Sequence, residues 1–338
     1  MAETERRAET AAVAVPAPPA GVGAGLLRPE VGPAILVLAA TAALIGGLRL
    51  YDPGFGSLGQ LTAILVTAIF LVVASFGQGL VILTGGIDLS IGTVMGIGGM
   101  IVANLTRGSD GALVYALPVA LLCCTAIGVV NGLGVAIARL PPFIMTLSSS
   151  IACFGVALGV TAGSSQQSVA PALQRFMAGA WLGVPLPILF VVLFAALAAV
   201  FQNRSPLGRQ IYALGNSPRA AAILGLPVAG LTVAVYALSG LCAGAAGVLL
   251  AGYASSATLD MGNALLMPTI AAVVIGGARV TGGAGLYIGT LAGALFLSTL
   301  STVITVLSLS QGLRSVIQGG VIIVALLLQS RQGSRRRI

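Results

Sequence analysis

From residue 33 to residue 329 the chain is a run of apolar stretches, each near the length that crosses a bilayer as a helix, parted by short polar breaks. About 20 apolar residues span the hydrocarbon core. Inside it every backbone N–H and C=O must be bonded within the protein, which leaves only helices or closed barrels. These stretches are continuous and lack two-residue alternation, so they read as helices. Only 7% of the residues are charged and 57% are hydrophobic, against about 25% charged in a soluble domain. The sequence predicts an all-α polytopic membrane protein.

Spans are predicted near 33–50, 61–83, 88–105, 112–137, 143–163, 185–201, 229–253, 264–278, 284–308 and 312–329, about ten transmembrane helices. The Gly-rich pieces at 79–105 and 264–290 read as straight, broken or re-entrant, with Gly85-Gly86 the natural break in the first. Residues 1–32 form a polar Ala/Pro-rich tail read as disordered, and not as a signal peptide because it is long and acidic as well as basic. A membrane domain then runs over 33–329, and residues 330–338 form a basic tail. With the N-terminus in the cytoplasm, ten spans return the C-terminus there. Twelve of the sixteen arginines then fall inside and four outside, a positive-inside bias that orients the chain. The net charge of +8 is thus a topology signal towards membrane lipid, and no nucleic-acid partner is expected.

Absent residues narrow the function. Every basic residue is Arg, with no Lys and no His. That excludes a GxxxxGK[ST] phosphate loop, a catalytic Lys and a His proton relay. Cys123, Cys124, Cys153 and Cys242 lie inside apolar segments without metal-ligand spacing and read as packing thiols. No catalytic site, cofactor or metal is expected in this chain. A faint internal echo joins Val81-Ile82-Leu83-Thr84-Gly85-Gly86 with Ile91-Gly92-Thr93 to Val273-Val274-Ile275-Gly276-Gly277 with Ile288-Gly289-Thr290. It reads equally as a transporter repeat or as chance among Gly/Val/Ile-rich helices.

Three segments stand out. The loop at 202–228 carries complete helix punctuation: Ser217 as N-cap, Pro218 at the first helical position and Gly225 at the C′ position. Such a helix, of about two turns, is too short to stand alone in water. Membrane helices or a partner must hold it, and its small Ala220-Ala221 face with Asn216 and Arg219 suits docking. Around Gly85-Gly86, Asp88 is an acidic residue within a membrane segment, which by default marks function. It reads also as the cap of a helix beginning at Leu89, and Ser90 lies beside it. Asn131, polar within a span, reads as a helix-packing or cavity-lining residue, and Pro141-Pro142 before Phe143 enforce a sharp turn. Gly85, Gly86, Asp88, Ser90, Asn131 and Phe143 are the candidate pathway or gating residues.

Together these segments resemble the inner-membrane permeases of the ribose/xylose/arabinose/galactose class of ABC importers. The matching residues are Thr84-Gly85-Gly86-Ile87-Asp88-Leu89-Ser90-Ile91-Gly92, then Asn131-Gly132 through Pro141-Pro142-Phe143-Ile144-Met145-Thr146-Leu147. Leu207-Gly208-Arg209-Gln210-Ile211-Tyr212-Ala213-Leu214-Gly215-Asn216 and Ala271-Ala272-Val273-Val274-Ile275-Gly276-Gly277 follow in order. The resemblance implies a homodimer of permease subunits with the pathway at their interface. It implies a cytoplasmic ABC ATPase that binds ATP and Mg and docks on the 216–226 helix, and a periplasmic solute-binding protein that delivers the solute. Transport across the bacterial inner membrane would proceed by alternating access. Ser148-Ser149-Ser150 and Ala278-Arg279-Val280-Thr281 depart from the sugar-permease pattern, so the resemblance carries the permease class and not the identity of a sugar. A branched-chain amino-acid or nucleoside ABC permease is the alternative. An ion-coupled secondary transporter is a more distant one, since such pumps keep several ionisable residues within their spans.

Overall fold

The computed structural model describes residues 31–165, 168–310, 312–313, 316–321 and 323–324. The tails expected at 1–32 and 330–338 lie outside these residues, apart from residues 31 and 32, and the tenth span at 312–329 is described only in part. Helices follow in the order α1 (Gly32–Tyr51), α2 (Leu58–Leu83), α3 (Ile91–Thr106), α4 (Leu113–Ala136), α5 (Pro142–Thr161) and α6 (Pro171–Ala178). After a hairpin of β1 (Ala180–Trp181) and β2 (Val184–Pro185) come α7 (Leu186–Arg204), α8 (Pro206–Asn216), α9 (Pro218–Ile223), α10 (Val228–Ala254), α11 (Asn263–Ile275) and α12 (Tyr287–Val306). Further helical residues lie between 312 and 324. The all-α architecture stands, with that two-residue hairpin as the single sheet among the described residues.

Among the described residues seven helices are long and apolar enough to cross a membrane: α1, α2, α4, α5, α7, α10 and α12. The expected spans at 88–105 and 264–278 are instead the shorter α3 and α11, of 16 and 13 residues. At ~1.5 Å per residue these reach about 24 and 20 Å, less than the roughly 30 Å hydrocarbon thickness. The segments that part α2 from α3 and α11 from α12 open with the same backbone device. At the end of α2, Gly85 N–H bonds the Ile82 carbonyl and Gly86 N–H the Val81 carbonyl. At the end of α11, Gly277 N–H bonds the Val274 carbonyl and Ala278 N–H the Val273 carbonyl. Each pair is a Schellman motif, which needs a left-handed residue at C′. Gly85 (φ 81°) and Gly277 (φ 93°) supply it. The two segments that echo one another in sequence therefore close two helices in the same way. They also meet, because Gly283 N–H donates to the Leu83 carbonyl at 2.9 Å.

The loops following α2, α4, α7 and α11 gather at one end of the bundle, called the lever end here because it carries α8 and α9. Those containing residues 107–112, 162–185 and 255–262 lie at the other, the hairpin end. At the centre are α2 and α10, whose apolar windows are 78% and 61% buried against 6% for α5. Glycines let backbones touch at this centre. A Cβ on Gly128 of α4 would sit 2.2 Å from the Tyr236 carbonyl oxygen of α10, and one on Gly240 of α10 2.3 Å from that of Cys124. Gly247 of α10 meets Met95 of α3 as closely. Without a hydrophobic drive between helices in lipid, close packing of this kind supplies the association.

Candidate functional site

The unwound segment between α2 and α3 carries a buried polar node. Asp88, 1% exposed, accepts at Oδ1 from the Ser90 N–H (2.9 Å) and the Ser90 hydroxyl (2.6 Å). Its Oδ2 accepts from the Ser239 hydroxyl of α10 at 2.8 Å. Ser90 Oγ in turn accepts from Asn131 Nδ2 of α4 at 2.9 Å. Three donors thus satisfy the buried carboxyl, which has no cation beside it among the described residues. The helix starts at Ile91 and not at Leu89 as expected, and its N-cap residue, Ser90, makes no side-chain cap bond. Asp88 folds its carboxylate onto the N–H two residues ahead, the Asx-turn geometry that competes with capping. Thr146 of α5 closes the node from outside, accepting from the Leu89 N–H at 3.0 Å.

Of the predicted pathway residues, the structure brings together Gly85, Gly86, Asp88, Ser90 and Asn131. Gly86 lies under the Tyr236 hydroxyl, where a Cβ would have no room. Phe143 stands apart, 55% exposed at the start of α5. Ser239 and Tyr236 sit in an apolar span with no neighbouring motif, and only polarity within a span, the signal used for Asn131, points to them. Thr146 falls inside the matching segment 141–147 but is not among the candidate residues.

The lever is built by one punctuation used twice. Ser205 accepts from the Gly208 N–H (2.9 Å) ahead of Pro206 and starts α8. Ser217 accepts from the Ala220 N–H (3.2 Å) ahead of Pro218 and starts α9. At the far end of α9, Gly225 N–H bonds the Ala222 carbonyl and Leu226 N–H that of Ala221, with Gly225 at φ 76°. The helix has six residues, fewer than the two turns expected. Its small face is divided: Ala221 is buried, whereas Ala220 and Ala222 are exposed together with Arg219, Ile223 (86%) and Leu224 (74%). Behind it, α8 grips both helix breaks. The Tyr212 hydroxyl donates to the Gly285 carbonyl, and Gln202 Nε2 donates to Tyr212 Oη (2.8 Å) and to the same carbonyl (3.2 Å). Gly215 presses directly on the Leu83 carbonyl and Gly283, and Asn216 lies against Gly283.

A cavity of about 760 Å³ lies between α2, α11, α12 and the helical residues after 312. Its polar lining comes from Thr67, Asn263, Ser298, Ser301, Thr302, Thr305 and Gln318, and its apolar lining includes Phe70, Leu71, Met261 and Leu297. Among the described residues no ionisable side chain lines it. These residues belong to the first turns of α11 and the last turns of α12, so the cavity occupies the half of the bundle towards the hairpin end.

Residues 60–326 match the family model described as "branched-chain amino acid transport system / permease component". The ribose import permease protein RbsC of Escherichia coli K12 is 34% identical over 299 residues, 87% of this chain and 93% of that protein. Its namesake in Bacillus subtilis 168 is 34% identical over 77% of this chain and 81% of that protein. The D-allose transport system permease protein AlsC of E. coli K12 is 30% identical over 86% and 89%. The chain belongs to the permease family of ABC importers. No solved structure matches it.

Two further features of the permease lie away from the node. Its cysteines are all free. Cys124 and Cys242 are buried, Cys153 is half-buried and Cys123 is exposed on the outer side of α4. No cluster of potential metal ligands occurs among the described residues. At the hairpin end, Asp110 accepts from Arg175 (2.5 Å) and from the Ala172 N–H (2.6 Å), tying the loop after α3 to α6. The Arg175 guanidinium, followed by the Ala172 amide, holds the Asp110 carboxyl below the usual carboxylate range. A depressed carboxyl stabilises the fold above its unfolded pKa and loses that contribution as pH falls through its folded pKa. Arg175→Ala is therefore expected to lower the melting temperature slightly at pH 7, because exposed pairs contribute little. The gap from wild type should persist at pH 5 and close only in stronger acid.

Proposed function

We propose that this permease carries a monosaccharide or similar neutral polyol into a bacterial cell, driven by a separate ATPase that docks on α9. The observation that carries the reading is the lever. A short, doubly capped helix exposes Ile223, Leu224 and Arg219, while α8, adjoining it, is bonded to the break between α11 and α12 and packed on that between α2 and α3. Force on α9 has a stiff path to both places where membrane helices are interrupted. The solute class follows the relatives, whose names specify ribose and allose.

On this reading the lever end faces the cytoplasm, supported by Arg139, Arg204, Arg209, Arg219 and Arg279 in its loops. Both termini are cytoplasmic, and the hairpin end meets the periplasmic solute-binding protein. A second copy of the permease completes the pathway in the inner membrane. ATP and Mg bind the partner, and this chain has no ATPase site of its own.

The test is uptake of labelled aldoses, polyols, nucleosides and leucine with the ATPase intact or inactivated, for wild type, Arg219→Glu and Ile223→Asp. We expect ATPase-dependent uptake of one aldose or polyol, reduced at least about tenfold by Ile223→Asp, since a charge placed in a docking contact costs a few kcal/mol. Membrane insertion should be unchanged. Normal uptake by both variants would remove α9 from the mechanism. Leucine or a nucleoside as the solute would move the chain to a neighbouring class of the same family.

A further inference from the structure

We propose that the cavity between α2, α11 and α12 is a solute-binding site within a single permease subunit, built for a neutral polyhydroxylated molecule. The inference rests on the reading of the chain as a solute permease and adds where that solute is held and by which groups. Its volume, about 760 Å³, falls within the range of small-molecule sites, about 300–1,000 Å³, which are mostly apolar with a few placed polar groups. The lining has that composition.

The hydroxyls are arranged to accept. Thr67 donates to the Ala63 and Ile64 carbonyls of its own helix, and Thr302 to the Ser298 carbonyl at 3.0 Å. With its one proton committed, each oxygen offers lone pairs to a ligand O–H. Ser301 Oγ accepts from Gln318 Nε2 at 3.2 Å, which leaves its own proton for a ligand oxygen. Ser298 is the telling residue. It is only 9% exposed, lines the cavity and has no side-chain hydrogen bond among the described residues. Its hydroxyl is nonetheless not sealed in the protein like that of Ser75. A largely buried hydroxyl without a protein partner, open only to a cavity, is placed for a ligand or water. The Phe70 ring with Leu71, Met261 and Leu297 gives an apolar wall for the C–H face of a sugar ring. No ionisable group is among the described lining residues, a composition that suits a neutral ligand better than amino-acid zwitterions or phosphates, whose charges would stand unpaired. Both α11 and α12 run from this cavity to the 276–286 break held by Tyr212, so movement of the lever reshapes the site.

The experiment uses the full complex of permease, ATPase and binding protein in liposomes, with the sugar identified in the uptake panel. Ser298→Ala combined with Thr302→Val removes two hydroxyls while nearly keeping shape. It is expected to raise the KM for transport about three- to tenfold, the fold-change of one or two lost hydrogen bonds. ATP hydrolysis without solute should be unchanged. Ser298→Phe, which fills the cavity, should cut import more than about tenfold with the binding protein's own affinity for the sugar unaltered. Unchanged KM and rate in both variants would overturn the site, as would an acyl chain found lodged in the cavity with transport indifferent to Ser298→Ala. If wild type imports leucine instead of any polyol, the solute assignment itself fails and the site's proposed chemistry with it. That result is separable, because it appears before any variant is made.

Discussion

Gly215→Ala is expected to cut import at least about tenfold while leaving the protein inserted and its ATPase partner bound. The added Cβ would lie 1.8 Å from the Leu83 carbonyl oxygen and 2.8 Å from the Gly283 nitrogen. Both obstacles are backbone, and those two atoms are themselves bonded to each other. No flexible side chain can yield, so α8 has to lift away from both helix breaks at once. Overpacking of this kind costs about 1–3 kcal/mol or more, and here the displaced contact is the one linking lever to membrane helices. The deciding measurement is solute imported per ATP hydrolysed in the reconstituted complex, which should fall although hydrolysis continues. Gly230→Ala is the control, since its Cβ would meet nothing nearer than Pro227 at 3.8 Å. An unchanged transport-to-hydrolysis ratio in Gly215→Ala would show that force does not travel through this contact.

Asp88→Ala should lower the thermal midpoint of the detergent-purified protein more than any other single change at the polar node. It would strand the Ser90 N–H, the Ser90 hydroxyl and the Ser239 hydroxyl in a buried site. Each unmet buried donor costs about 1–3 kcal/mol, so a loss of several kcal/mol is expected. Asp88→Asn keeps an acceptor for Ser90 and can donate its amide to Ser239 Oγ, so it should cost far less. Asn131→Ala, which removes only the outer bond to Ser90, should be intermediate. Equal midpoints for Asp88→Ala and Asp88→Asn would mean that the hydrogen bonds do not hold the node together.

What the sequence disclosed and what it concealed divide along the range of the interactions. Local punctuation was legible. Ser217, Pro218 and Gly225 marked α9, and Gly85-Gly86 marked the first helix break, because each choice is made by a residue and its neighbours within one turn. The identical Ser205-Pro206 start of α8 went unnoticed because 202–228 read as a single polar loop. The shortness of α3 and α11 was concealed as well. The stretch around Asp88 reads as the start of a span, and only the structure shows that the turn from Asp88 to Ser90 delays α3 to Ile91 and that the Schellman geometry at Gly277 stops α11. Long-range partners left no trace. Asp88 meets a serine 151 residues away, and the small face of α9 is divided, with Ala221 inward and Ala220 and Ala222 outward. The cavity hydroxyls of Ser298, Ser301 and Thr302 were hidden for another reason. Ser and Thr can satisfy themselves on their own helix in lipid, as Thr302 does, so their presence in a span says nothing until the structure shows what they face.

The glycine seam between α4 and α10 sets a schedule for assembly as the chain is made. The last residue of α4 is 136, and α10 is complete only at 254, some 118 residues later. At bacterial elongation rates of ~5–20 residues per second, α4 waits roughly 6–24 s in the bilayer for the surface that fits it. During that interval α5 and α7 enter beside it, and either could occupy the groove at Gly128 and Gly132. That α5 buries only Thr146 fully in the finished bundle fits this order of arrival. A helix synthesised between two partners has to leave their meeting place empty.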